Sequence, residues 1–86
     1  MQIQVVFYGG LKERCGRRTA SVELEAPASV RDALEVLVET FPPLSGRLER
    51  IALAVDDELV DADRPLEDGD ELCLLPPVSG GEGERI

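Results

Sequence analysis

Eighty-six residues, 43% hydrophobic and 31% charged, make one small folded domain and leave little room for a second. No apolar run approaches the roughly 20 residues of a membrane-spanning helix, and Met1-Gln2-Ile3-Gln4 offers no basic segment ahead of an apolar one, so the expectation is a cytoplasmic protein with neither signal peptide nor membrane association. A formal net charge of −9 sets nucleic acid aside as a partner, because phosphate demands the opposite sign.

Gln2 to Tyr8 alternates well enough to predict a first strand, with Ile3, Val5 and Phe7 on the core face. Gly9-Gly10 ends it, and Leu11 to Arg18 reads as a polar connection with room for a helical turn. Thr19 to Glu25 alternates again, burying Ala20, Val22 and Leu24, and predicts a second strand antiparallel to the first. Pro27 closes that strand and Ser29 opens a helix, with Asp32 forming a variant of the capping box. Val30, Ala33, Leu34, Leu37, Val38 and Phe41 make one helical stripe, while Arg31, Asp32, Glu35 and Glu39 fill the outer face. Pro42-Pro43 stops the helix, since neither residue can donate a backbone hydrogen bond.

Leu44 to Arg50 predicts a short connection with room for one helical turn. Ile51 to Val55 reads as a third strand with Ile51, Leu53 and Val55 inward, Asp56-Asp57 as a tight turn, and Glu58-Leu59-Val60 as a short return strand. Asp63-Arg64-Pro65-Leu66 is a turn that plants Leu66 in the core, and Asp68-Gly69 is a second turn. Glu71 to Leu75 makes the last strand, with Leu72 and Leu74 inward and Pro76-Pro77 stopping it. One helix laid across one face of a mixed sheet of about five strands buries both apolar surfaces economically. That α+β arrangement is the β-grasp, or ubiquitin-like, fold, expected over residues 1–77, with 78–86 a flexible tail rich in Ser, Gly and Glu.

Only Phe7, Tyr8 and Phe41 are aromatic, so the core must be mostly aliphatic. With no histidine and no CxxC pair, Cys15 and Cys73 can build neither a zinc site nor a Cys–His nucleophile. Cys73 reads as a small half-buried apolar residue in a strand, Cys15 as a solvated thiol in a loop. The charge is uneven: nine acidic residues face a single Arg64 between Asp56 and Glu71. Such a surface either keeps a small protein in solution or meets a basic partner surface.

The most informative stretch is Pro76-Pro77-Val78-Ser79-Gly80-Gly81, because two residues without a Cβ can thread where any side chain would clash. The chain resembles the MoaD/ThiS family of ubiquitin-like sulfur carriers, and MoaD more closely, in three places. Val5-Val6-Phe7-Tyr8 with Leu11-Lys12-Glu13 resembles the family's opening strand and turn. Ala54-Val55-Asp56-Asp57-Glu58-Leu59-Val60 is similar to its AVNxxxV hairpin, with Asp56 where asparagine is usual. Pro65-Leu66-Glu67-Asp68-Gly69-Asp70-Glu71, running into Leu75-Pro76-Pro77-Val78-Ser79-Gly80-Gly81, is similar to its PLxDGDEVAxxPPVSGG ending.

The resemblance implies a non-catalytic sulfur-carrying small subunit of molybdopterin synthase. In the family, a MoeB-type enzyme uses ATP to adenylate the terminal glycine carboxylate, which then becomes a thiocarboxylate. The tail enters a MoaE-type large subunit and gives its sulfur to cyclic pyranopterin monophosphate. Gly81 would carry the sulfur and Gly80 would be the spacer that fits the tunnel, while Tyr8, Leu59, Leu75, Pro76, Pro77 and Val78 would meet the partners. No cofactor is expected on this chain, which has no glycine-rich phosphate loop of its own. By strand alternation Tyr8 and Leu75 point away from the helix, with Leu59 beside them, on a sheet face expected to dock.

One feature departs from the family: Glu82-Gly83-Glu84-Arg85-Ile86 follows Gly81, whose carboxylate is therefore tied in a peptide bond. A processing protease removes the extension, or the chain keeps only partner binding, or the stop codon is misplaced; the intact motif favours trimming. Other acceptors remain open (thiazole, thiolated tRNA, an amino acid), as does a role as a protein modifier or interaction module.

Overall fold

The computed structural model describes residues 1–48 and 50–75. Its elements are β1 (Gln2–Phe7), α1 (Gly10–Cys15), β2 (Thr19–Glu23), β3 (Ala28–Ser29), α2 (Val30–Thr40), a 3-10 turn (Pro42–Leu44), β4 (Ala52–Val55), β5 (Glu58–Val60), β6 (Pro65–Leu66) and β7 (Glu71–Leu75). Five strands form one sheet in the order β2-β1-β7-β4-β5, and β3 and β6 make a separate two-residue ladder. β1 and β7 run parallel at the centre, and the other pairings are antiparallel. This is the β-grasp arrangement, with α2 the main helix packed on one face.

The core is what the alternation predicts. Ile3, Val5 and Phe7 from β1, Leu72 and Leu74 from β7, and Val55 from β4 are fully buried against Val30 and Leu37 of α2. Phe7 meets Phe41 edge-on, with ring centroids 5.8 Å apart. At the start of α2 the Asp32 carboxylate accepts the Ser29 N–H at 2.8 Å, satisfying a donor the helix cannot and placing negative charge at the positive end of its dipole.

Several local expectations are corrected by packing. β2 ends at Glu23 rather than Glu25, because its partner strand begins at Gln2, the residue opposite Glu23. Leu24 is nevertheless buried, its N–H bonded to the Met1 carbonyl at 2.8 Å. The connection after Gly9-Gly10 is a six-residue helix that buries Leu11, and Cys15 is its last residue, half-buried against the core rather than solvated in a loop. Gly16, at φ 73°, ends it with an N–H bond to the Lys12 carbonyl at 3.0 Å.

On α2, Val38 lies beside Leu34 and Leu48 in a shallow groove, and Val36 packs against the core instead. At 100° per residue Val38 lies nearer than Val36 to the middle of the stripe of Val30, Leu37 and Phe41, so periodicity favours Val38 and packing reverses the choice. Pro42-Pro43 ends the helix and also begins the 3-10 turn that drives Leu44 into the core with no exposure. β4 starts at Ala52, not Ile51, which packs partly buried at the core margin. The β3–β6 ladder, with Ala28 opposite Leu66, is too short for sequence periodicity to register.

Both turns of the second half are built from the residues present. Val55 pairs with Glu58 across Asp56 and Asp57, whose φ values of 51° and 71° are those of a two-residue hairpin turn matching the strand twist. Asp68-Gly69 is held to the first strand: the Asp68 Oδ1 accepts the Gln2 N–H at 2.7 Å, and the Gly69 N–H bonds the Gln2 carbonyl at 2.9 Å. Gly69 has φ 87°, which an L side chain rarely adopts.

Candidate functional site

The face of the sheet turned away from α2 is apolar at one end and polar at the other. Val6 lies opposite Cys73, Cys73 opposite Ala54, and Ala54 opposite Leu59, so four strands contribute one continuous row. The next row toward the C-terminal end of β7 pairs Leu75 with Ala52. Tyr8 joins that row, its N–H bonded to the Leu74 carbonyl at 3.3 Å. In the other direction the face turns polar through Gln4, Ser21, Glu71 and Asp56. There the Glu71 N–H reaches the Asp56 Oδ1 at 3.3 Å.

Val6, Ala54 and Cys73 are buried without belonging to the core, forming a second cluster with Leu75 packed on it. Over this floor stand Tyr8 at 40% exposure and Leu59 at 73%, the large exposed apolar groups among the described residues. The structure therefore brings Tyr8, Leu59 and Leu75 to one face. Pro76, Pro77, Val78, Gly80 and Gly81 lie outside the described residues, as does the expected domain boundary at residue 77. Alternation assigns neither Val6 nor Ala54 to this face, and Cys73 reads as a small half-buried apolar residue; the structure buries all three. Their signal was present in Val5-Val6-Phe7, Leu53-Ala54-Val55 and Leu72-Cys73-Leu74-Leu75, where apolar residues run on instead of alternating. Strands that read this way are covered on both faces.

The apolar end of this face carries no acidic or basic residue among Val6, Ala54, Cys73, Leu75, Tyr8 and Leu59. Once ionised, the neighbouring Cys73 sulfur repels a second negative charge, and this, with the hydrogen bond between the two side chains, pushes the Tyr8 phenol above its ordinary value. Burial, with Glu71 adding to it, pushes the Cys73 thiol up as well. Both groups stay protonated, so neither adds a desolvation cost for an ion when the face is covered. Among the described residues no group of His, Cys, Asp or Glu is arranged to hold a metal ion. The arrangement can hold an apolar partner surface while delivering whatever follows Leu75 to one side of it.

A β-grasp sheet with one main covering helix and, among the described residues, an apolar face left open beside its last strand defines a ubiquitin-like protein. Within that class, the sequence profile of the ThiS family matches residues 5–81, and the chain belongs to that family. The chain is 33% identical to the molybdopterin synthase sulfur carrier subunit of Chlamydomonas reinhardtii, over 94% of this chain and 100% of that protein. SAMP1 from Haloferax volcanii, in its crystal structure, superposes with a TM-score of 0.88 at 32% identity, covering 94% of this chain and 100% of that one. A further match, TM-score 0.67 and 29% identity over 94% and 100% of the two chains, is to the complex of subunits 1 and 2 of the molybdopterin-converting factor from Helicobacter pylori.

Proposed function

We propose that this chain is a sulfur carrier for molybdopterin synthesis, and that the atom it brings to the reaction is the carboxylate of Gly81 after removal of residues 82–86. One observation carries the reading: the family match runs through the whole domain and stops at the second glycine, Gly81. A carboxylate is a poor electrophile, so its oxygen must first attack the α-phosphorus of ATP, releasing pyrophosphate and leaving an acyl-adenylate. Sulfur from a donor then displaces AMP and leaves a thiocarboxylate. The ATP site belongs to an adenylating enzyme of the MoeB type, and a MoaE-type large subunit receives the charged tail. The six residues from Pro76 to Gly81 reach at most roughly 20 Å when extended, enough to bury the terminus in a partner while Tyr8, Leu59 and Leu75 seat the domain at its surface.

The test is to incubate the form ending at Gly81 with ATP, the adenylating enzyme and sulfide. Intact-mass measurement should show one oxygen replaced by sulfur, and Gly81→Ala should abolish the gain while leaving docking intact. A mass that never changes with a competent enzyme would end the proposal. For the processing step, mass spectrometry of the protein from its own cells should find chains lacking Glu82–Ile86.

A second reading has its own support, the 35% identity to small archaeal modifier protein 1 of Haloferax volcanii. Under that reading Gly81 forms an amide with a lysine of another protein, and gel bands heavier by one whole carrier would reveal it.

A further inference from the structure

Folding sorts the charges of this chain to its two ends. Because β1 and β7 are parallel, their last residues share the end of the sheet that carries Leu75, to which the tail is joined. Exposed at that end are Lys12 and Arg14 of α1, Arg17 and Arg18 leading into β2, and Arg47 and Arg50 ahead of β4. The Arg18 carbonyl accepts the Phe7 N–H at 2.8 Å, the Arg17 guanidinium lies 5.9 Å from the Phe41 ring centre, and Arg50 lies just before Ala52, the residue opposite Leu75. Glu13 and Glu39 are the acidic residues set against them among the described residues, and the sequence adds Glu49 between Arg47 and Arg50.

The opposite end is acidic: Asp56, Asp57 and Glu58 at one turn, Glu67, Asp68, Asp70 and Glu71 at the other, and Glu23 and Glu25 leaving β2. The remaining described cations are already engaged, Arg31 by Asp63 and Arg64 by Glu58. The two ends are separated by the length of β7 and its flanking turns, roughly 15 Å or more at 3.3 Å per residue. That exceeds the Debye length of about 8 Å at physiological ionic strength. A partner approaching the tail therefore senses the local cations and not the net charge of −9.

We propose that the protein which receives this tail has a carboxylate-lined mouth beside its apolar patch, so that the cationic end of the carrier enters first and the acidic end stays in solvent. This rests on the sulfur-carrier reading and names the chemistry of the partner surface. Covering Val6, Ala54 and Cys73 brings Arg18 and Arg50 to the rim of the contact, where a neutral or basic surface would leave them unpaired. Acidic groups there draw the tail-bearing end in and reject the reverse approach.

Two charge-matched pairs test it, R14E/R18E at the tail end and E25K/E67K at the far end. Association of the full chain, and of the form ending at Gly81, with the MoaE-type subunit of the same genome is followed by stopped flow across a salt series. R14E/R18E should slow association roughly tenfold at low salt, with the gap closing near 0.5 M salt, and E25K/E67K should stay within about twofold of wild type. R14Q/R18Q should fall between, and thermal melts matching wild type establish that each variant is folded. The proposal is overturned if E25K/E67K slows association while R14E/R18E speeds it, the signature of an acidic surface meeting a basic partner. Unchanged association alongside retention of RNA by the wild type, lost in R14E/R18E, would also overturn it. If the wild type forms the thiocarboxylate and both pairs behave alike, this inference fails and the carrier reading stands. If the wild type neither binds nor gains sulfur, both fall.

Discussion

The two faces of the sheet are both apolar, but in different ways. Toward α2, large aliphatic side chains such as Leu72 and Leu74 are buried to completion by the helix. Away from it, small residues (Val6, Ala54, Cys73) are buried by their own neighbours, while Tyr8 and Leu59 stay largely in solvent. The first face has found its partner within the chain. The second has the composition of a core margin and, among the described residues, no element to cover it, as expected of the docking surface proposed for it.

The largest test of this contrast is Leu74→Ala, which should cost about 2–5 kcal/mol of stability by leaving a cavity under α2, read from the urea unfolding midpoint. Leu59→Ala should behave oppositely. Its stability should stay within about 0.5 kcal/mol of wild type, while affinity for the large subunit falls by about 1.5–3 kcal/mol, tenfold or more, in titration calorimetry. If Leu59→Ala unfolds the protein instead of uncoupling it, the two faces are not separate.

The hairpin that presents Leu59 can be sharpened. Asp57→Gly removes a Cβ from a residue at φ 71° and should raise stability by about 0.5–1 kcal/mol, seen as a higher melting temperature with docking unchanged.

The smallest effect concerns one thiol on each face. Burial pushes both Cys73 and Cys15 above the ordinary value of 9.0. A raised value in the folded state means that the protein holds those protons more tightly than the unfolded chain does. The stabilisation is therefore complete below about pH 9 and is lost as pH rises through the folded values. As pH rises past the ordinary thiol value, Cys73→Ala and Cys15→Ala should each flatten part of the wild-type decline in the urea midpoint. A steeper decline in either variant would contradict the assignment.

Much of this was readable in advance. The stripe of Val30, Ala33 and Leu37, the alternation of Ile3, Val5 and Phe7, and the turns at Asp56-Asp57 and Asp68-Gly69 each state a local preference strong enough to survive folding. The sequence reads Cys15 as a solvated loop thiol and makes no prediction for the burial of Leu11 and Leu44, because none of the three belongs to a periodic apolar pattern. Of the proposed docking face, the three exposed or half-exposed members could be named from alternation, but not the floor beneath them. Val6 meets Cys73, and Cys73 meets Ala54, only through pairings between strands far apart in the chain.

The sequence by itself determined the element order, the helix face that is buried, and the family signature that ends at Gly81, because propensity, patterning and turn chemistry are local. It also showed that acidic residues crowd between Asp56 and Glu71. Only the tertiary structure decided that cations gather at the Leu75 end of the sheet and acidic residues at the other. The parallel pairing of β1 with β7 sets that outcome, bringing residue 8 beside residue 75 and residue 2 beside residue 69, so charges sort by position along the strand axis and not by position in the chain.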